Sequence, residues 1–336
     1  MSRGGQVNQY NDESAPAYAV GETAYRDVSR KWKRFVLFAL LFFLFVYIIV
    51  TGLISISYAG QVIRPVPVPS DPINKNLAYP YSTVSFRSRD GYTSLYGWHF
   101  NAQKTDKALI LVHGFGGNRF LFGDRTLDFI ESVLAIGFNA LVFDLRNSGG
   151  ASPGISTFGL HEKQDVLGAV DYMKNAGYEN IAILGVSTGA NAAVMAGAEA
   201  AVDEVKALIL DSPIVDARSF IMRLVREINP ELPDFPYNIM TPAMIGLYVN
   251  GDVNDVNAAK NLDVFMPRHV LLIHGTNDEI VSYSDTLDLY NDYMNKAVGK
   301  VSIWSVPGAG HGACFDAARD EYMERVTAYL QRVFIE

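Results

Sequence analysis

The sequence predicts an α/β architecture: a mostly parallel central sheet flanked by helices, with a small cap insertion, preceded by one N-terminal transmembrane helix. Three observations carry this. Strand-like and helix-like segments alternate from Thr83 towards the C-terminus. The turn Gly185-Val186-Ser187-Thr188-Gly189 joins a buried strand to a helix of small residues. Far upstream, Phe35 to Val50 is an unbroken apolar run.

In chain order, residues 1–34 form a polar tail, and its first part, Met1 to Ala24, has the composition of a disordered segment. Residues 35–60 are long and apolar enough to cross a bilayer, which takes about 20 such residues. Arg26, Arg30, Lys31, Lys33 and Arg34 crowd one flank, and no further charge appears until Arg64. The positive-inside rule then puts the N-terminus in the cytoplasm and the rest of the chain across the membrane, at the cell surface. Cleavage after Ser57-Tyr58-Ala59 is the competing account, but the apolar run is longer than an ordinary signal core, which favours a retained anchor. Residues 61–80 place proline at nearly every second position from Pro65 to Pro69, which predicts an extended spacer that holds the following domain off the membrane.

One domain is expected over 81–336. It opens with a hairpin, Thr83 to Arg87 and Thr93 to Phe100, turning at Asp90-Gly91. Helix Leu127 to Ile136, strand Asn139 to Phe143, helix Glu162 to Asn175, strand Asn180 to Leu184 and strand Ala207 to Leu210 follow, with later strands at Val270 to Ile273 and Val301 to Val306. The rhythm breaks over about 213–263, where a cap is expected. Phe220, Ile221, Leu224 and Ile228 recur there at helical spacing, and Pro230, Pro233, Pro236 and Pro242 break further helix into short segments.

The turn at Ser187 fits a nucleophile elbow, in which a serine hydroxyl is lifted from a strained strand-to-helix turn. Glycines at 185 and 189 remove side chains that would strike the neighbouring strand and helix. A serine hydroxyl needs a nearby base of near-neutral pKa, and a histidine needs an acid to hold its tautomer. Both lie downstream in the order this architecture uses. Asp278 follows the strand ending Ile273-His274-Gly275, and His311 lies in the loop Pro307-Gly308-Ala309-Gly310-His311-Gly312. Asp211, at the end of an earlier strand, and Glu279 are competing acids, and Asp278 could instead cap a helix over Ile280 to Tyr290. Backbone donors for an oxyanion are expected from the amides of Thr188 and Phe115, the latter in His113-Gly114-Phe115-Gly116-Gly117-Asn118-Arg119 after a buried strand. His113 directly follows that strand and reads as a residue that ties the loop down.

On these motifs, together with Phe143-Asp144-Leu145-Arg146-Asn147-Ser148-Gly149, the chain resembles the α/β-hydrolase superfamily, within a Bem46-like group of membrane-anchored or secreted esterase-like proteins. The resemblance runs from Tyr81 to the C-terminus. It implies a Ser187-His311-Asp278 triad that cleaves a carboxylic ester, thioester or amide through an acyl-enzyme. It also implies a structural salt bridge between Asp144 and Arg146. Thr188 departs from the methionine that many relatives carry, which bears on substrate preference.

Composition narrows the alternatives. The net charge is −8 and the one dense cluster of basic residues lies at the membrane flank, so nothing suggests a nucleic-acid surface. Cys314 is the single cysteine, so no internal disulfide framework exists, and it reads as a small buried filler. No His, Cys or carboxylate cluster has metal-ligand spacing, and neither a metal nor a cofactor is expected. The expected partners are an acyl-bearing small molecule, lipid or cell-envelope substrate, and the membrane. Acyl transfer or peptidase action on the same fold, and a non-catalytic binding role, are the alternatives to ester hydrolysis.

Overall fold

The structure, a computed structural model, describes residues 17–73, 77–101 and 104–335. Residues 1–16 of the polar tail lie outside them, whereas 17–24, expected to be disordered, form the start of a helix. Two compact units are present, Met1–Leu53 and Ile54–Glu336. Helix α1 (Ala17–Val62) contains the stretch Ser29–Val62, which is long and apolar enough to cross a membrane.

Among the described residues nine strands follow: β1 (Tyr81–Arg87), β2 (Ser94–Phe100), β3 (Lys107–Val112), β4 (Leu121–Asp124), β5 (Asn139–Phe143), β6 (Asn180–Val186), β7 (Ala207–Asp211), β8 (His269–Gly275) and β9 (Val301–Val306). The helices between and after them are α2 (Thr126–Ala135), α3 (Glu162–Asn175), α4 (Thr188–Glu199), α5 (Ala217–Ile228), α6 (Tyr237–Val249), α7 (Ala258–Phe265), α8 (Tyr283–Lys296), α9 (Cys314–Ala317) and α10 (Arg319–Ile335). Eight strands form one sheet in the order β1-β2-β5-β3-β6-β7-β8-β9. The hairpin β1-β2 and the β2-β5 pair are antiparallel, and every later pair is parallel.

Period-two alternation sends successive side chains of each strand to opposite cores. Ala108, Ile110 and Val112 of β3 join one core with α3, α4, α7 and α8, while Leu109 and Leu111 join the other with α2, α9 and α10. The central strands are therefore apolar on both faces, as expected of parallel strands covered on both sides.

A third cluster builds the cap. Phe220, Ile221 and Val225 of α5 meet Tyr237, Ile245 and Val249 of α6 there. Helix α7, which fell inside the expected insertion, instead packs Leu262 and Phe265 into the sheet core. Pro242, expected to break helix, lies inside α6. A proline removes the hydrogen bond to the carbonyl four residues back. That carbonyl belongs to Asn238, which is exposed to solvent, while Thr241 and Ile245 on either side of the proline are fully buried and hold the helix.

The proline-bearing segment does not stand free as a spacer. Ile63 is fully buried in the cap cluster with Val62 and Ala59, and its carbonyl accepts from Ser156 N–H at 2.8 Å. Farther on, the Pro69 carbonyl accepts from Asn118 Nδ2 at 2.9 Å, and Ser70 Oγ donates to the Asp144 carboxylate at 3.0 Å. An extended proline segment leaves its carbonyls without internal partners, and the domain surface supplies them.

The expected Asp144-Arg146 bridge is replaced by two others. Asp144 accepts from Arg119, at 2.8 Å from the backbone amide and 3.1 Å from Nε. Arg146 turns to Asp165, with Nη2 at 2.7 Å and Nε at 3.0 Å. Two residues apart at a strand end, Asp144 and Arg146 face different neighbours. Burial alone would raise the Asp144 carboxyl, but Arg119 and the Gly150 amide hold it below its ordinary value.

His99 is buried between the hydroxyls of Tyr172 and Tyr178, each 3.1 Å from a ring nitrogen. Burial lowers its pKa, because the charged imidazolium loses hydration. The unfolded chain therefore takes up a proton first as pH falls below about 6.5, so His99 contributes stability above that pH and loses it below. Asp211, raised by burial, acts in the opposite direction, so the His99 contribution is isolated by difference. From about pH 7 to about pH 5.5 the melting temperature of the native protein should fall further, or rise less, than that of His99→Gln. Identical pH dependence of the two would contradict this.

Candidate active site

The sheet order reverses at β3, whose neighbours β5 and β6 lie on opposite sides. In open α/β sheets such a reversal opens a crevice beyond the carboxyl ends of the strands, where ligands bind. The segments that leave β3 and β6 at that point are the loop 113–119 and the turn at Ser187.

Ser187 has φ 55° and ψ −121°, a strained conformation for a residue with a side chain. Its N–H donates to the Asp211 carbonyl at 2.8 Å, and its own carbonyl accepts from Ala190 and Asn191 at 2.9 and 3.2 Å. A Cβ on Gly185 would lie 2.4 Å from the Gly189 carbonyl oxygen, and one on Gly189 would lie 2.4 Å from the carbonyl oxygens of Val112 and His113. Glycine at both positions therefore lets α4 start immediately beneath the strand ends.

The structure brings Ser187, His311 and Asp278 into one hydrogen-bonded chain. Ser187 Oγ lies 2.8 Å from His311 Nε2, and His311 Nδ1 lies 2.8 Å from Asp278 Oδ2. The loops after β8 and β9 are tied together to make this possible. Thr276 N–H donates to the Val306 carbonyl and Asn277 N–H to the Ala309 carbonyl, each at 3.0 Å. Asp211, the competing acid, is engaged elsewhere, accepting from Ser212 Oγ at 3.0 Å and from Tyr322 OH at 3.1 Å. Glu279 is exposed. Asp278 also accepts from the Ile280 and Val281 amides at 2.9 and 2.8 Å through Oδ1, a turn that precedes α8 rather than capping it.

A fourth participant was not legible in the sequence. His274, fully buried, places Nε2 3.1 Å from Asp278 Oδ2 and 3.2 Å from the Val281 carbonyl. Both are acceptors, so Nε2 carries the proton and Nδ1 accepts from Thr286 Oγ1 at 2.8 Å. The signal available was a histidine at the buried end of a strand, four residues before an acid. Burial would raise the Asp278 carboxyl, but His274, His311 and the Val281 amide outweigh it and hold it far below the ordinary carboxylate range.

Phe115 and Thr188 line one small space together with Gly114 and Phe158, and neither Ser187 nor His311 lines it. Neither amide donates to a protein acceptor among the described residues. His113 ties this loop down. Its Nε2 accepts from Leu145 N–H at 3.1 Å, which leaves Nδ1–H to donate to the Gly114 carbonyl at 2.8 Å. With that carbonyl held against the ring, the next amide, Phe115 N–H, is turned the opposite way. Gly114 approaches the elbow so closely that a Cβ on it would lie 3.3 Å from Ser187 Cβ.

Aromatic rings enclose the crevice. Phe158 lies 5.8 Å from Phe115 and 5.7 Å from Phe220, and Phe220 lies 6.5 Å from the His311 ring. Phe220 and Ile221 are thus inner residues of the cap, whereas Ile228 points outward, 44% exposed. Cys314 is fully buried, and its thiol pKa is pushed up by burial and by Asp211, so it is unreactive. A larger cavity of about 810 Å³ lies between Pro69, Ile73, Asn118 and Leu127, and none of Ser187, Asp278 or His311 lines it. Among the described residues no group of His, Cys, Asp and Glu could hold a metal ion.

Known proteins of similar sequence and structure fit this architecture. The uncharacterized protein YqkD of Bacillus subtilis (strain 168) is 24% identical over 241 residues, 70% of this chain and 75% of that one. The Pyrococcus furiosus esterase Pf2001 superposes with a TM-score of 0.65 at 23% identity, covering 81% of this chain and 98% of the esterase. Est1E from Butyrivibrio proteoclasticus, solved with ferulic acid bound, gives a TM-score of 0.56 at 21% identity over 75% of this chain and 99% of its own. The fold is thus that of the α/β-hydrolases. Residues 128–336, more than half of the sequence, match the peptidase S9 family, and the chain therefore belongs to the prolyl oligopeptidase family.

Proposed function

We propose that this protein is a membrane-anchored serine hydrolase that cleaves a carboxylic ester through an acyl-enzyme. The observation that carries the reading is the unbroken relay from Ser187 Oγ through His311 to Asp278. Ser187 Oγ attacks the carbonyl carbon as its proton passes to His311 Nε2, and the Phe115 and Thr188 amides hold the resulting oxyanion. His311 then gives that proton to the leaving oxygen, and the C–O bond to the alcohol breaks. Water, deprotonated by His311, releases the acid and restores the serine. Asp278 remains ionised throughout, fixing the imidazole tautomer and stabilising the imidazolium.

The family's name raises amide cleavage as the second reading. Esterase structures among the neighbours, and a chain whose described residues form one sheet domain with a small cap, support the ester. Comparing kcat/KM on a p-nitrophenyl acyl ester and on an acyl-peptide anilide decides between them. On the preferred substrate, Ser187→Ala should lower kcat by at least about 10⁴-fold and abolish labelling by a fluorophosphonate. A folded native protein that takes no label and turns over neither substrate would point to a binding role.

His274 acts here as a positioning residue for Asp278. Removing a hydrogen bond to a charged group costs about 1.5–3 kcal/mol, or roughly 10- to 100-fold in rate if felt in the transition state. His274→Phe should lower kcat by about that factor with KM unchanged, and should cost little more once Asp278→Asn is present. Additive losses in that double-mutant cycle would assign His274 to general packing.

For topology, we propose an N-terminus in the cytoplasm and a catalytic domain outside it, on the basis of the basic residues flanking the apolar run. Protease added to intact cells should remove the C-terminal domain. Full protection in intact cells, with cleavage after lysis, would overturn the assignment.

A further inference from the structure

Helix α6, with the sequence YNIMTPAMIGLYV, contains no charged residue. A helix this poor in polar residues is ordinarily enclosed, yet only one side of α6 is covered, and Asn238 is the one amide side chain on the exposed side. Tyr237, Ile245 and Val249 enter the cap core, while Ile239 is 53% exposed, Leu247 75% and the preceding Phe235 68%. Positions 239, 243 and 247 recur every four residues of α6 and so share one outward stripe, where Ala243 is exposed with the others, and the exposed Phe235 lies just ahead of the helix. Single exposed apolar residues need no explanation, but a contiguous stripe marks a surface that meets something apolar.

The end of the apolar stretch Ser29–Val62 packs against the same cap. Ala59 and Val62 are buried in the cluster that holds the inner side of α6. Tyr58 OH accepts from Asn229 Nδ2 at 2.8 Å, just past the end of α5, and the Arg64 guanidinium lies 5.5 Å over the ring of Tyr248 on α6. Arg218, Arg223 and Arg226 of α5 line a hollow beside Ile239. Arg226 is paired with Asp234, and Glu227 and Glu231 lie close by in the chain, so the surface is apolar first and only weakly basic.

We propose that the outward stripe of α6 docks into the bilayer surface, with Phe235, Ile239 and Leu247 at the boundary of headgroups and acyl chains. Interfacial helices bury an apolar face there, and aromatic side chains such as Tyr248 settle at headgroup level. The occupant is lipid because the residues packed against the cap, Ala59 and Val62, are themselves the end of a segment able to cross a membrane. This inference rests on the membrane-anchor reading. It sets the cap, whose inner residue Phe220 covers His311, against the lipid surface.

The test uses the full-length protein in vesicles of phosphatidylcholine and phosphatidylglycerol. Because Cys314 is buried, an environment-sensitive fluorophore can be placed on Phe235→Cys, Leu247→Cys, Leu44→Cys in the apolar run, and Val298→Cys. Val298 is 82% exposed and precedes β9, at the end of the sheet opposite the site. With brominated lipids, the labels at 235 and 247 should be quenched as the label at 44 is, and the label at 298 should not. Quenching at 44 alone would leave the anchor standing and overturn the docking. No quenching at any of the four would remove the anchor reading and the docking with it. Quenching at 235 and 247 that disappears when each vesicle holds a single copy would overturn lipid as the occupant in favour of contact between copies.

Discussion

The close approach of the loop after β3 to the turn after β6 is the constraint on which the rest of the site depends. The two strands are parallel neighbours, with Val112 opposite Gly185, and both chains turn away just beyond that point. Backbone meets backbone there at distances that admit no Cβ at Gly185 or Gly189. That contact strains Ser187, starts α4 at once, and brings the 113–117 loop within reach of the serine. Interior packing of this density tolerates little displacement, so the positions of the Phe115 and Thr188 amides follow from it.

Around that contact, buried polar groups are consumed in pairs. His113 uses one ring nitrogen for Leu145 and the other for Gly114. His274 is spent on Thr286 at one nitrogen, and on Asp278 and the Val281 carbonyl at the other. Asp144 and Asp165 each take an arginine from a different segment. A buried polar group left unmatched is costly, and a fully satisfied network specifies one arrangement. Asp278 is the extreme case, with four donors on a carboxylate whose side chain is fully enclosed. His311, which shares that carboxylate, is the residue that also meets Ser187 Oγ.

The cap follows different rules. It is held to the sheet domain by Asn191, whose amide bridges both backbone groups of Ile214 at 2.9 and 2.7 Å, and it receives Ala59 to Ile63 as part of its own core. Its helices therefore answer to three environments: the crevice under Phe220, the end of α1, and whatever meets the outer stripe of α6.

Local sequence determined most of the sheet domain, because strand and helix periodicities and the glycines at 185 and 189 act over a few residues. The bounds of β2, α3 and β9 differ from the expected segments by no more than a residue. Ser187, Asp278 and His311 were legible for the same reason: each sits where a strand ends and a polar loop begins. The partners of Asp144 and Arg146, the second histidine on Asp278, the continuity of α6 through Pro242 and the docking of residues 63–70 were decided by tertiary structure alone. Each depends on which group stands across a gap from segments distant in sequence, and burial sets the free energy of those pairings. Spacing along the chain carries no record of that.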